Sequence, residues 1–559
     1  VIVFALLQMM PGEPIDSIVP LDASEELRQV IIDQYGFDQP LYMQYFMWLG
    51  NAVRGNFGNS VSDNRLVLSV VSEALHNTLI LALGASIFAF LLSILIGVYS
   101  SYRPNSIFSW IGTVFGIGGI SMSGLAEILL EEHFTISGSD SQKSPLTEKL
   151  TNAGAKIFYG QRASNIEEGT DLVVYTAAIH EDNPELAAAK AAGIPTLTRA
   201  ELLGQIMDNY SDSVAIAGTH GKTTTTSMVS QIFLDARMDP TISVGGILDA
   251  IGGNIRVGKS NLFVTEACEY TNSFLNFRPK YCLILNIEED HLDFFKDIHD
   301  IRHSFRLFAE NTAPDGVIVL NGAIEQHEAI TEGLSAKIVT YGLSADNDFY
   351  ASDISYNEKG CASFLAHEGD TTIGQITLSI PGEHNVQNAL AAIALCTQMK
   401  IPVTSIISGL SAFHGTKRRF EKKGTVGGIT IIDDYAHHPT EIRATLEAAK
   451  NYPHERIVCV FQPHTYTRTK AFLEDFADAL SLADIVVLAD IYAARETDTL
   501  GISSGDIQKR LQDAGTTAYY FHSFDEIEQF LLKKCMNGDL LITMGAGDIV
   551  NVGEHLLGQ

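Results

Sequence analysis

The chain carries two hydrophobic rhythms. Across 79–98 it reads LILALGASIFAFLLSILIGV, and no charged residue occurs between His76 and Arg103. An uncharged run of about 20 apolar residues is what a helix needs to cross hydrocarbon, so this stretch predicts one transmembrane helix. The alternative, a buried soluble helix, is disfavoured because such helices rarely stay uncharged for so long. Residues 1–10 are also apolar, but before Pro11-Gly12 they rise only ~15 Å as a helix, half of a span. They predict the remnant of a cut helix, and Val1 in place of Met predicts a cut N-terminus.

Beyond 111 the rhythm changes. Short Val/Ile-rich strands ending in Gly, Asp or His alternate with helical segments: DLVVYTAAI, SVAIAGTHG, LFVTEACE, YCLILNIEEDH, GVIVLNG, GITIIDDYAHH, RIVCVFQPH, DIVVLADIY and DLLITMGAGD. This alternation predicts parallel sheets whose strand C-termini carry the chemistry. The predicted class is therefore α/β, three domains behind a partial helical membrane segment. We divide the chain into 1–110, 111–210, 211–416 and 417–559.

Composition sharpens that seam. Both tryptophans, Trp48 and Trp110, lie in the first 110 residues, and the first lysine is Lys143. With 67 acidic against 37 basic residues and a net charge of −30, the chain has no basic footprint for a nucleic-acid backbone. The six cysteines show no CxxC spacing, which predicts reduced, mostly buried thiols of a cytoplasmic protein and no structural zinc site.

Three groups of residues carry chemistry. After the strand 214–217 comes Gly218-Thr219-His220-Gly221-Lys222-Thr223-Thr224-Thr225, then a helix. Backbone N–H groups around such glycines form an anion nest, the lysine neutralises phosphate, and a threonine hydroxyl can ligate Mg²⁺, so this is an ATP site. Ile216 stands where the general phosphate loop has its first glycine. Glu266 and Glu269 end one strand, and Asp290, His291 and Asp293 end another. One imidazole among oxygen ligands suits Mg²⁺ better than zinc. Finally, Val114-Phe115 feeds a turn containing Gly116, Gly118, Gly119 and Ser121, with a helix expected at 125–132. Such a turn lets phosphate approach the backbone.

The shortened loop GTHGKTTT, followed in order by EACE, EEDHLD, GEHN (382–385), RRFE (418–421), DDYAHHPTE (433–441) and QPHTYTRT (462–469), resembles the Mur ligase family over about 112–559. The resemblance implies an ATP-dependent ligase making peptidoglycan precursors, with Lys222, Glu266 and His291 as catalytic residues. ATP would be held by Gly218, Thr219, His220, Gly221, Lys222, Thr223, Thr224, Asn385, Arg419 and Asp434, and Mg²⁺ by Thr223, Glu266 and His291. Within the family, DDYAHHPTEI with QPHTYTRTK resembles the branch that joins L-alanine to UDP-N-acetylmuramate, with Tyr435, His437 and Arg468 receiving the alanine. Gly116, Gly118, Gly119, Ser121, Ser139 and Asp140 would hold the UDP-sugar. Ser121 replaces the usual last glycine of that turn, and His133 stands where a glycine commonly ends the first helix. A muropeptide-recycling ligase of the same family is the alternative.

The first 110 residues, including VIVFALLQMMPGEPID and YGFDQPLYMQYFMWLGNAVRGNFGNSV, resemble the N-terminal part of a dipeptide/oligopeptide transporter permease. That resemblance implies a transporter fusion as a second alternative, and a ligase tethered to the membrane on its cytoplasmic side. The coupling loop and further membrane helices of such a permease are not found in the sequence.

Overall fold

The structure is a computed structural model. It describes residues 24–35, 38–58, 65–72, scattered positions up to Leu83, and 111–559 except 177–178, 180–181, 495 and 497–499. The chain divides into two compact units, Val1–Phe108 and Ser109–Gln559. The first contains helices Glu25–Tyr35 and Leu41–Val53. Among the described residues no helix is long and apolar enough to cross a membrane. The span expected at 79–98 falls, apart from Ile80 and Leu83, outside the described residues.

The second unit contains three sheets. The first is formed by β1 (Ile111–Phe115), β2 (Thr135–Asp140), β3 (Lys156–Tyr159), β4 (Leu172–Tyr175) and β5 (Thr196–Thr198). It is parallel throughout, in the order β3-β2-β1-β4-β5. The order reverses beside β1, so the glycine turn after β1 opens at the crevice where such sheets bind ligands. The following helix, Ile120–Glu131, starts earlier than the glycines suggest. Gly124 lies inside it because a Cβ there would sit 2.0 Å from Ile255 Cγ1: the helix packs directly on the next sheet.

That second sheet has ten strands: β6 (Asp212–Ala217), β7 (Thr241–Leu248), β8 (Gly253–Arg256), β9 (Leu262–Ala267), β10 (Tyr281–Ile284), β11 (Val317–Asn321), β12 (Lys337–Gly342), β13 (Phe349–Tyr356), β14 (Cys361–Glu368) and β15 (Thr371–Pro381). Its order is β15-β14-β13-β12-β11-β10-β6-β9-β7-β8. The centre is parallel as expected, but β13–β14–β15 and β7–β8 pair antiparallel. The residues explain the difference: β14 largely alternates buried and less buried positions, the mark of a sheet covered on one face, whereas β6 is nearly all buried. Helices Lys222–Asp235, His384–Gln398 and Val403–Ala412 cover one face, and their core includes Met228, Ile232, Ala391 and Leu395. The other face shares a core with the first sheet, through Ala215, Phe263, Leu125 and Ile128.

The third sheet comprises β16 (Glu421–Val426), β17 (Ile429–Asp434), β18 (Arg456–Phe461), β19 (Ile485–Leu488), β20 (Thr517–Tyr520) and β21 (Asp539–Met544), in the order β16-β17-β21-β18-β19-β20. Only the β16–β17 edge is antiparallel. Apolar residues pack both faces, as a sheet sandwiched between helices requires.

Candidate functional site

β6 lies between β10 and β9, and the chain leaving its C-terminal end is the loop 218–221. Gly218 and Gly221 have φ of 146° and 82°, conformations that suit glycine, and a Cβ on Gly221 would meet Asn388 Oδ1 at 2.7 Å. The neighbouring strand end braces the loop. His220 N donates to Asn286 Oδ1 at 2.7 Å, Asn286 Nδ2 donates to His220 O at 3.1 Å, and Glu288 N donates to Thr219 Oγ1 at 2.9 Å. The loop then opens helix Lys222–Asp235, whose first N–H groups and dipole favour an anion.

Lys222 folds back over this loop. Its Nζ donates to Gly218 O, to Thr219 O at 3.1 Å and to Glu269 Oε2 at 2.8 Å. Burial works against the ammonium, yet Glu269 holds it above its ordinary pKa, so Lys222 is charged. Thr223 Oγ1 donates to Glu266 Oε2 at 3.1 Å, which joins a hydroxyl and a carboxylate at the phosphate loop. Those are hard oxygen donors of the kind Mg²⁺ takes, so these two residues fit it. His291, the third expected ligand, groups with two other acids: its Nε2 lies 3.8 Å from Glu269 Oε1 and 3.8 Å from Asp290 Oδ2, and its ring stacks on Tyr270. Burial pushes His291 below its ordinary pKa, leaving a neutral imidazole beside the lysine's counter-ion.

The third sheet closes over this end. A cleft of about 900 Å³ is lined by His220, Gly221, Thr224, Asn385, Arg419 and Asp434 among others, bringing together residues more than 200 positions apart. Asn385 sits near the start of helix His384–Gln398, where its Nδ2 donates to Pro381 O at 2.7 Å. Asp434, at the end of β17, accepts from Phe420 N and Ala436 N, both at 2.8 Å, and burial raises it to about 6. The Arg419 guanidinium lies 5.3 Å from the Tyr435 ring centre and 3.8 Å from Glu441. Lys222, Thr223, Glu266 and His291 do not line the cleft itself.

Tyr435, His437 and Arg468 also converge. His437 Nδ1 donates to Tyr435 O at 3.0 Å, and burial pushes its pKa down to about 4. Arg468 donates through Nε at 3.1 Å and Nη2 at 2.8 Å to Asp290 Oδ1, and its Nη1 meets His464 Nδ1 at 3.1 Å. Arg468 holds the Asp290 carboxyl well below the usual range in spite of burial. The arginine thus reaches from the third sheet to the residue preceding His291.

In the first sheet the turn residues divide. Gly116 has φ 66°, Gly118 N donates to Asp140 Oδ2 at 2.9 Å, and Gly119 caps helix Ile120–Glu131, so the three glycines form one turn that is held by Asp140 at the end of β2. Ser121 is exposed on that helix. Ser139 is 1% exposed and donates to buried Glu185 at 2.6 Å, so it points into the domain. Sequence reasoning passes over Asn286, Asn388 and the roles of Glu269 and Glu441. Only the two acids carry a signal, as members of EACE and HHPTE.

Family models match three stretches: the "Mur ligase family, catalytic domain" at 113–211, the "Mur ligase middle domain" at 216–396 and the "Mur ligase, glutamate ligase domain" at 418–547. The chain is 66% identical over 442 residues to the UDP-N-acetylmuramate--L-alanine ligase of Agathobacter rectalis, an overlap of 79% of this chain and 96% of that protein. It is 53% identical over 452 residues to the protein of the same name from Lachnoclostridium phytofermentans, covering 79% and 96%. Among solved structures, the UDP-N-acetylmuramate-alanine ligase of Thermotoga maritima superposes with a TM-score of 0.68 at 30% identity, covering 80% of this chain and 98% of that one. A murein peptide ligase of Psychrobacter arcticus superposes with a TM-score of 0.61 at 25% identity, covering 80% and 98%.

Proposed function

The chain belongs to the Mur ligase family, and we propose that it joins L-alanine to the lactyl carboxylate of UDP-N-acetylmuramate at the expense of ATP. The reading rests on one contact above all: Arg468, from the alanine motif, grips Asp290 beside His291 at 2.8 Å. A carboxylate-binding arginine is thereby set next to the phosphate loop, as a reaction uniting an amino acid with a phosphorylated acid requires.

A free carboxylate resists amide formation because oxide is not a leaving group at neutral pH. ATP supplies the phosphoryl group that turns the lactyl carboxylate into an acyl phosphate, whose phosphate departs when the alanine amine attacks. Lys222 and the N–H groups of 218–222 act by holding negative charge where it accumulates. Thr223 and Glu266, with His291 nearby, would hold Mg²⁺, which supplies further charge neutralisation at the phosphates. Asn385, Arg419 and Asp434 bind the nucleotide from the cleft, and Tyr435, His437 and Arg468 orient the alanine. The turn of Gly116, Gly118, Gly119 and Asp140 takes the UDP-sugar, with Ser139 supporting it from beneath. Such a ligase works in the cytoplasm, where its nucleotides are.

The test is phosphate release with ATP, Mg²⁺ and UDP-N-acetylmuramate. L-Alanine should stimulate it far more than L-glutamate, D-glutamate or diaminopimelate. Preference for a tripeptide amine donor would replace this reading with the muropeptide-recycling one.

A further inference from the structure

Three side chains that the sequence separates widely meet at the mouth of the nucleotide cleft. His220 comes from the phosphate loop, Glu288 from the segment after β10, and His438 from the start of helix Pro439–Lys450. Each offers a ligand atom within 4.8 Å of the others, and the two imidazole rings lie 4.6 Å apart, centre to centre. We propose that His220, Glu288 and His438 form a binding site for a divalent metal of the zinc class, separate from the magnesium-type oxygen donors Thr223 and Glu266.

Two observations support a ligand here rather than a chance cluster. First, His220 Nε2 is buried and has no hydrogen-bond partner, although it faces Glu288 Oε2 at 3.5 Å. An orphaned buried ring nitrogen costs free energy that a bound cation would recover. Second, both rings are already oriented as metal-bound histidines are. Glu441 Oε1 lies 3.3 Å from His220 Nδ1, and the Glu289 carbonyl oxygen lies 3.1 Å from His438 Nε2. Each acceptor takes one ring N–H; Nδ1 of His438 is left as a lone pair, and on His220 Nε2 a cation would take the place of the second proton. The lone pair of His438 is occupied only by a 3.3 Å hydrogen bond from Thr440 N.

Two imidazoles and one carboxylate are the donor set of many three-ligand zinc sites, and an oxygen-preferring ion would not choose it. Tetrahedral zinc ligands stand about 3.4 Å apart, so the side chains need to draw in by roughly 1 Å. Because His220 belongs to the phosphate loop and His438 to the third sheet, a metal here ties the two together across the cleft that ATP would enter. It competes with nucleotide.

Equilibrium dialysis of the full chain against Zn²⁺, without substrates, tests this apart from the ligase assignment. His438→Asn removes the imidazole but keeps a helix-capping side chain, and Glu288→Gln keeps the size and the bond from Thr440. The parent should bind one more tight equivalent than either variant, whose affinity at that site falls about a hundredfold, and added ATP should displace that equivalent. The unfolding temperature of each variant shows that it is folded; if one is not, the other decides. Equal stoichiometry and affinity in parent and variants, or an equivalent that disappears only in Glu266→Gln, would overturn the proposal.

Discussion

Lys222 Nζ donates to both carboxylate oxygens of Glu269, at 2.8 and 3.1 Å, where Glu269 is 2% exposed. The cation that we propose for phosphate is therefore paired with a protein anion. Removing one partner of a buried pair costs about 3–5 kcal/mol because it leaves the other charge uncompensated. Glu269→Gln should destabilise the chain by about 3 kcal/mol without nucleotide and by clearly less with a saturating non-hydrolysable ATP analogue and Mg²⁺, whose phosphates replace the lost anion. Thermal unfolding measures both. An equal loss in the two conditions would separate Lys222 from the phosphate site.

Lys222→Ala should lower ATP-dependent phosphate release by about 3 kcal/mol of transition-state stabilisation, or more than a hundredfold, since it removes one preorganised donor. Its circular dichroism should match the parent. Turnover within about tenfold of the parent removes the residue from the mechanism.

His220 makes stability depend on pH with a definite sign. Burial disfavours its charged form, yet the carboxylates of Glu288 and Glu441 raise it to about 9 from 6.5. Between those values the folded chain holds a proton that the unfolded chain has released. Its contribution is complete below pH 6.5 and lost as the pH rises to 9, with an upper size of about 3 kcal/mol. The fall in denaturant midpoint between pH 6.5 and 9 should shrink in His220→Gln. An unchanged slope would mean that another group carries the dependence.

The loop 218–225 is legible in the sequence because a phosphate-binding turn depends on local order: glycines, lysine and threonine must follow one strand within eight positions. Lys222 and Thr223 are accordingly found together with the acids that the strand ends supply. Partners set by tertiary packing are not legible. Nothing in EACE says that Glu269 rather than Glu266 holds the lysine, and nothing in SGSD says that Ser139 turns inward to Glu185. The glycine inside helix Ile120–Glu131 has the same origin, because the contact that makes Gly124 necessary is with Ile255, far along the chain. Strand direction at the edge of the middle sheet escapes as well, since a run of short apolar segments does not state on which face helices lie.

His133 adopts φ 66° just after helix Ile120–Glu131, a conformation that costs a side chain with a Cβ about 1 kcal/mol relative to glycine. It is exposed, and no contact among the described residues explains the histidine. His133→Gly should raise stability by about 0.5–1 kcal/mol with turnover unchanged, read from denaturant midpoints at constant slope. Destabilisation would show that the histidine makes a contact in solution.

The last expectation concerns the seam. β1 pairs with β2 on one side and β4 on the other, so it is the central strand of the first sheet, and Val114 and Phe115 within it are fully buried. The glycine turn that follows hangs on this strand. A chain beginning at Ser109, the first residue of the second compact unit, keeps both. A chain beginning at Met122 loses the strand, the turn and the first residues of the helix, and exposes the edges of β2 and β4 to water along with the core that covered Val114. Loss of two buried large side chains alone costs several kcal/mol, a large part of a domain's stability. The Ser109 chain should fold and release phosphate at the parent's rate with saturating UDP-N-acetylmuramate, and the Met122 chain should show no such turnover. An active Met122 chain would mean that the sugar nucleotide is not held at the turn after β1. A Ser109 chain that folds, by circular dichroism, but is inactive would assign a part of the catalysis to the first 108 residues.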